Sequence, residues 1–321
     1  MRNHSFDSLK FICTILIIFI HTPQPLGFEL YIDPLQRCAV PIFFMLSGYF
    51  TYGKTNFNEK VRRRIISISK LFCWAFFLYM LIFIAHNRPS AFFDVVLKQI
   101  QEFVCFNNVL FCKHLWYIHA YLYILVIMLL INRYSLYKPL FYVTPLLLMA
   151  ALLFGKYHEV VFAREIPTYI SRNFLFTGIP FFAIGMFIRK KQAVIQLCVS
   201  KNKIIIGCLF FYVAGMVECI VFDLYHNQGD LYLLTTPLAL CIFIMFLNTY
   251  QSHETVFSKM GREDSLYIYI FHVFLADKMF SLFNRLGLLD CYSYINVPIV
   301  FIITIVFVKV LRKTKIIGRL I

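Results

Sequence analysis

Charge is what this chain has least of. Asp, Glu, Lys and Arg make up 15% of its 321 residues, while 60% are hydrophobic. A soluble domain cannot bury that much apolar surface, so a soluble enzyme or binding module is excluded and a membrane protein is expected. At ~20 residues per crossing, the length holds roughly eight to eleven spans and no separate soluble catalytic domain.

Other absences narrow the chemistry. The ten cysteines are scattered singly, with no CxxC pair and no accompanying histidine cluster, which argues against a zinc site, a redox motif or a disulfide scaffold. Cys105 and Cys112 share one loop and are read as two thiols, able to pair only in an oxidising compartment. No Walker sequence, Gly-rich nucleotide loop or internal repeat is present, so an ATP-driven transporter has no support. The N-terminus has the basic start and apolar run of a signal peptide, Phe11 to Ile20. It continues into His21-Thr22-Pro23-Gln24-Pro25 where small cleavage-site residues should stand, so it reads as a first span.

What is present is a series of apolar runs broken by charge, Pro or Gly. Spans are expected near 6–22, 38–53, 65–86, 115–131, 137–154, 173–188, 204–222, 231–249, 265–284 and 295–311. The segment 90–113 differs. Phe92, Phe93, Val96, Ile100, Phe103 and Val104 recur at helical spacing between polar residues, the pattern of an amphipathic helix lying in the interface. The expected fold is therefore an all-α integral membrane protein, a bundle of about ten transmembrane helices with one interfacial helix, forming a single domain over 1–321.

Net charge is +15, and it is one-sided. About 21 Lys and Arg against about 5 acids fall on the side of the termini, and about 8 against about 9 on the other. Both termini are thus expected in the cytoplasm of a multi-pass inner-membrane protein. Topology and contact with anionic lipid account for the basic excess, and no nucleic-acid partner is needed.

Ionisable groups inside spans are costly and mark candidate functional residues. His21 closes the first apolar run and His272 sits within Ile268-Tyr269-Ile270-Phe271. Each is a candidate for proton transfer near neutrality, or else a packing residue bonded to a neighbouring helix. Glu218 and Asp277 receive no role. Arg62, Arg63 and Arg64, after Lys60, anchor the third span, and guanidinium forks of this kind also bind phosphate oxygens. Arg64, abutting the apolar run, is the best placed. Trp116 and Tyr117 stand where aromatics anchor an interface or stack on a sugar face.

Several runs together resemble the membrane acyltransferase 3 family. They are His21 after Asp7 and Lys10, the stretch Arg37-Cys38-Ala39-Val40-Pro41-Ile42-Phe43-Phe44-Met45-Leu46-Ser47-Gly48-Tyr49-Phe50, and the basic stretch Lys60 to Arg64. Then follow Leu115-Trp116-Tyr117-Ile118, the run from Ile179-Pro180-Phe181-Phe182 to Arg189-Lys190, and Ser265 to His272. The match covers nearly the whole chain in order.

The resemblance implies an acyl-CoA-dependent O-acyltransferase, usually an O-acetyltransferase. It would act on hydroxyls of a surface polysaccharide or a lipid-linked oligosaccharide precursor, with acetyl-CoA as co-substrate and no metal. It maps the family's essential histidine onto His21 and its first motif arginine onto Arg64. The second motif arginine would fall at Ser67, a departure that Arg62 or Arg63 would have to cover. His272 is carried as a second catalytic residue, Arg62, Arg63 and Arg64 as donor-binding, and Arg37, Trp116 and Tyr117 as acceptor-binding. The competing expectation is a polysaccharide or glycolipid exporter without acyl transfer.

Overall fold

The computed structural model describes residues 3–53, 55–222, 224 and 229–313. The described residues contain no strand. The helices run in order α1 Ser5–Ile20, α2 Glu29–Gln36, α3 Ala39–Thr51, α4 Phe57–His86, α5 Pro89–Phe106, α6 Trp116–Arg133, α7 Tyr137–Leu153, α8 His158–Phe162 and α9 Thr168–Ser171. There follow α10 Ile179–Lys190, α11 Gln192–Cys198, α12 Lys201–Val221, α13 Thr235–Leu247, α14 Val256–Glu263, α15 Ser265–Arg285 and α16 Leu289–Lys313. Each of the ten expected spans overlaps one of these helices.

Among the described residues, five helical stretches are long and apolar enough to cross a membrane: α4, Lys113–Arg133 including α6, α12, α15 and α16. The surface they present agrees with that reading. On α12, Ile206, Leu209, Phe210, Val213, Val217 and Ile220 are all exposed, a cost that water would not permit and lipid does. Tyr137–Leu153 and Thr235–Leu247 are apolar but shorter.

The chain forms two compact units, one from residues 3–46 with 191–313 and the other from residues 47–190. In the first, α1 packs against α14, α15 and α16. Ile18, Ile268, Ala276, Val297, Val300 and Ile305 form a core cluster shared by α1, α15 and α16. Gly261 lets α14 approach α1 backbone to backbone, since a Cβ there would lie 1.9 Å from the Asp7 carbonyl oxygen. Arg312 of α16 pairs with Asp264 at 2.9 Å, tying the junction of α14 and α15 to the last helix.

In the second unit, α4 packs on α6 and α10 on α7. Gly48 plays the part that Gly261 plays in the first: a Cβ would stand 1.9 Å from the Phe182 carbonyl oxygen of α10. The segment expected at 90–113 as one amphipathic element is a helix only to Phe106. Asn107 takes a left-handed backbone, φ 52°, and its side chain donates to the Trp116 carbonyl and accepts from the Phe174 amide. Those bonds use the chain as a loop, so the helix stops there. Along α5, Phe92 and Phe103 turn inward onto Phe111 and Phe76, while Phe93, Leu97, Ile100 and Val104 form an exposed stripe.

Candidate functional site

The two histidines singled out in the sequence meet in the first unit. His21 caps the C-terminus of α1 and its ring lies 5.0 Å, centroid to centroid, from that of His272 on α15, inclined at 61°. The chain around His21 is fixed by the carbonyls that any helix leaves open at its end. Thr22 Oγ1 donates to the Ile18 carbonyl at 2.9 Å, and Gln24 Nε2 donates to Phe19 at 3.2 Å and Thr22 at 2.9 Å. From α16, Asn296 Nδ2 donates to the Pro23 carbonyl and, at 3.2 Å, to that of Ser293. Asn296 is a site residue that sequence reasoning missed.

His272 is 0% exposed. Its Nδ1 lies 2.8 Å from the Tyr269 carbonyl and 3.0 Å from that of Ile268. A carbonyl oxygen only accepts, so Nδ1 carries the hydrogen and Nε2 of the neutral ring holds the lone pair. The ring is thereby held in one tautomer by its own helix. The pair can take a proton at one imidazole and lodge or pass it at the other. Beside the turn lies a cavity of about 910 Å³ lined by Phe19, Gln24, Phe28, Tyr294, Asn296 and Pro298 among others.

The three arginines, in the second unit, have different surroundings. Arg62 is exposed, and Arg63, with its side chain 77% exposed, pairs with Glu59 one turn earlier. Arg64 is half-buried and donates through Nη1 to Thr51 Oγ1 at 3.3 Å and Tyr121 Oη at 3.1 Å. No carboxylate among the described residues neutralises it.

Of the expected acceptor residues, Trp116 is only 6% exposed, with the Arg172 guanidinium 5.8 Å above its ring. Tyr117 stacks on Tyr121 at 6.3 Å. Arg37 lies in the first unit, where it bridges Asp33 and Asp230 at 3.0 Å each, and Tyr232 donates to the second oxygen of Asp33. Burial works against that charge, yet the two carboxylates hold the Arg37 pKa above its ordinary value. Glu218 accepts from the Leu233 and Leu234 amides at 2.7 and 3.0 Å, capping the entry to α13. Asp277 is exposed beside Lys278. Cys105 and Cys112 are thiols, the latter 3.0 Å from His114 Nδ1. Among the described residues, no group of three or more His, Cys, Asp or Glu is arranged to hold a metal ion.

The family described as "Acyltransferase domain", acyltransferase 3, matches residues 3–311. The chain is 24% identical to an "Amino-acid racemase" of Enterococcus faecalis over 98% of its own length and 46% of that protein. It is 22% identical to a "Serine/alanine racemase" of Enterococcus gallinarum over 98% and 47%. A further Enterococcus faecalis "Amino-acid racemase" is 26% identical over 77% and 36%. The chain thus spans less than half the length of these curated relatives. No solved structure is significantly similar.

Proposed function

Because the chain belongs to the acyltransferase 3 family, we propose that it moves an acyl group from cytosolic acyl-CoA to a hydroxyl of a surface polysaccharide or its lipid-linked precursor. Acetyl is the proposed group. The observation that carries the reading is the His21–His272 pair at 5.0 Å. An imidazole lone pair takes the hydroxyl proton as the oxygen attacks the thioester carbonyl. The new C–O bond forms, the C–S bond breaks, and the imidazolium returns its proton to the departing CoA thiolate. Thioester transfer to an alcohol is downhill, so positioning and one proton shuttle suffice, without a metal.

Arg64, with Arg62 and Arg63, is proposed to hold the CoA phosphates, a reading supported by a guanidinium that, among the described residues, donates only to neutral hydroxyls. Trp116, Tyr117 and Arg37 are proposed for the acceptor. The apolar cavity beside Gln24 suits the lipid part of a lipid-linked acceptor. The proposed topology has ten crossings, α5 along the interface with its exposed apolar stripe in lipid, and both termini in the cytoplasm of the inner membrane.

The names of the relatives speak of amino-acid racemisation and not of acyl groups, so a second reading drops the acyl chemistry. On it, the chain is a polysaccharide or glycolipid exporter without acyl chemistry. Purified protein incubated with acetyl-CoA and a glycan hydroxyl separates the two. Release of CoA coupled to acceptor acylation supports transfer, and unchanged acetyl-CoA in the presence of acceptor supports translocation.

A further inference from the structure

Arg64 is held in an unusual way for a half-buried cation. Its Nη1 is taken up by two hydroxyls, and each is itself fixed. Thr51 Oγ1 donates to the Ser47 carbonyl at 2.6 Å and so offers Arg64 a lone pair. Tyr121, on α6 and 7% exposed, is clamped between Tyr117, stacked at 6.3 Å, and Phe182, whose ring is 6.5 Å away. A buried ring with these neighbours has less room to move than the half-buried guanidinium, so the hydroxyl can set the direction of Arg64. Among the described residues the Nε and Nη2 donors of Arg64 have no acceptor, and those two N–H groups form the edge that grips a phosphate bidentately. Neighbouring Arg63 pairs with Glu59 and Arg62 is exposed, whereas the direction of Arg64 is set by two hydroxyls.

We propose that Tyr121 is a positioning residue of the donor site: its hydroxyl, with that of Thr51, aims the Nε–Nη2 edge of Arg64 at a phosphate of the acyl donor. This rests on the acyl-CoA reading. Tyr121 touches Arg64 and not the donor, so it acts through Arg64 alone. A guanidinium freed to swing loses part of its pre-set fork, which weakens binding in the ground and transition states alike and leaves the chemical step unchanged.

The test uses the full chain in nanodiscs, with CoA affinity from calorimetry and acetyl-CoA kinetics from CoA release. Tyr121→Phe removes one oxygen and keeps the ring stack. It is expected to weaken CoA binding and raise KM for acetyl-CoA by ~3- to 10-fold, with kcat within about two-fold. Thr51→Val should act in the same direction. On an Arg64→Ala background, Tyr121→Phe should have no further effect, because the group it aims is gone. Unchanged CoA affinity in Tyr121→Phe, a loss that adds fully to that of Arg64→Ala, or a fall in kcat alone would each overturn the assignment. A wild-type protein that binds CoA normally while Tyr121→Phe does so equally well defeats this inference only. One that neither binds CoA nor releases it defeats the acyl-CoA reading and this inference with it.

Discussion

His21 and His272, from opposite ends of the chain, stand ring to ring at 5.0 Å because α1 and α15 share one packed core. The contact predicts that the two act as a unit. His21→Gln and His272→Gln should each lower acyl transfer by on the order of 10² to 10⁴, the range for loss of a general base. The double variant should be no worse than the poorer single one. Rates measured at matched protein levels check this. Losses that multiply would mean two independent roles.

The helix crossings make a second prediction. At Gly261 and Gly48 an added methyl would meet backbone at 1.9 Å, where no side-chain rotation relieves it. Gly261→Ala and Gly48→Ala should each destabilise by more than the ~1–3 kcal/mol of ordinary core overpacking. Thermal melting in detergent, or loss of membrane abundance, reads the effect. A melting temperature equal to wild type in either variant would show that the helices can part there without cost.

Arg64 carries the third. Arg64→Ala should raise KM for acyl-CoA with little change in kcat, and Arg64→Lys should restore only part of the affinity, since an ammonium lacks the planar fork. Steady-state kinetics over a donor range decides it. An unchanged KM in Arg64→Ala would move donor binding to Arg62 or Arg63, or leave all three as topological anchors.

Topology supplies the fourth. With the native cysteines replaced, Asn58→Cys should resist an impermeant thiol reagent in intact cells and react after lysis, because the topology proposed from the basic excess has that loop in the cytoplasm. Labelling in intact cells would reverse the donor side.

The helices were legible because apolar runs broken by charge are a local signal, and each expected span overlaps a helix, while five stretches among the described residues are long and apolar enough to cross a membrane. Contacts between helices were not. Arg37 reads as an acceptor-binding residue, and of its two partners only Asp33 is near in the chain, while Asp230 lies far along it. Glu218 reads as an unexplained buried acid because its partners, the Leu233 and Leu234 amides, leave no side-chain pattern. Trp116 has the sequence context of an exposed interface residue, yet Arg172 and the Asn107 turn cover it. Arg64 could be ranked above Arg62 and Arg63 by its place at the apolar boundary, but its tether to Tyr121 joins two different helices and was invisible.

If His21 performs acyl-transfer chemistry on a glycan hydroxyl, its loss will register in the mass of the surface glycan. Cells would carry no copy, the wild-type protein, or His21→Gln at matched membrane abundance. Glutamine keeps a donor and an acceptor but has no usable pKa near neutrality, so packing survives and proton transfer does not. The account predicts glycan heavier by one acetyl unit with the wild-type protein, and unmodified glycan in the other two. Acetylated glycan at near wild-type level from His21→Gln would contradict it.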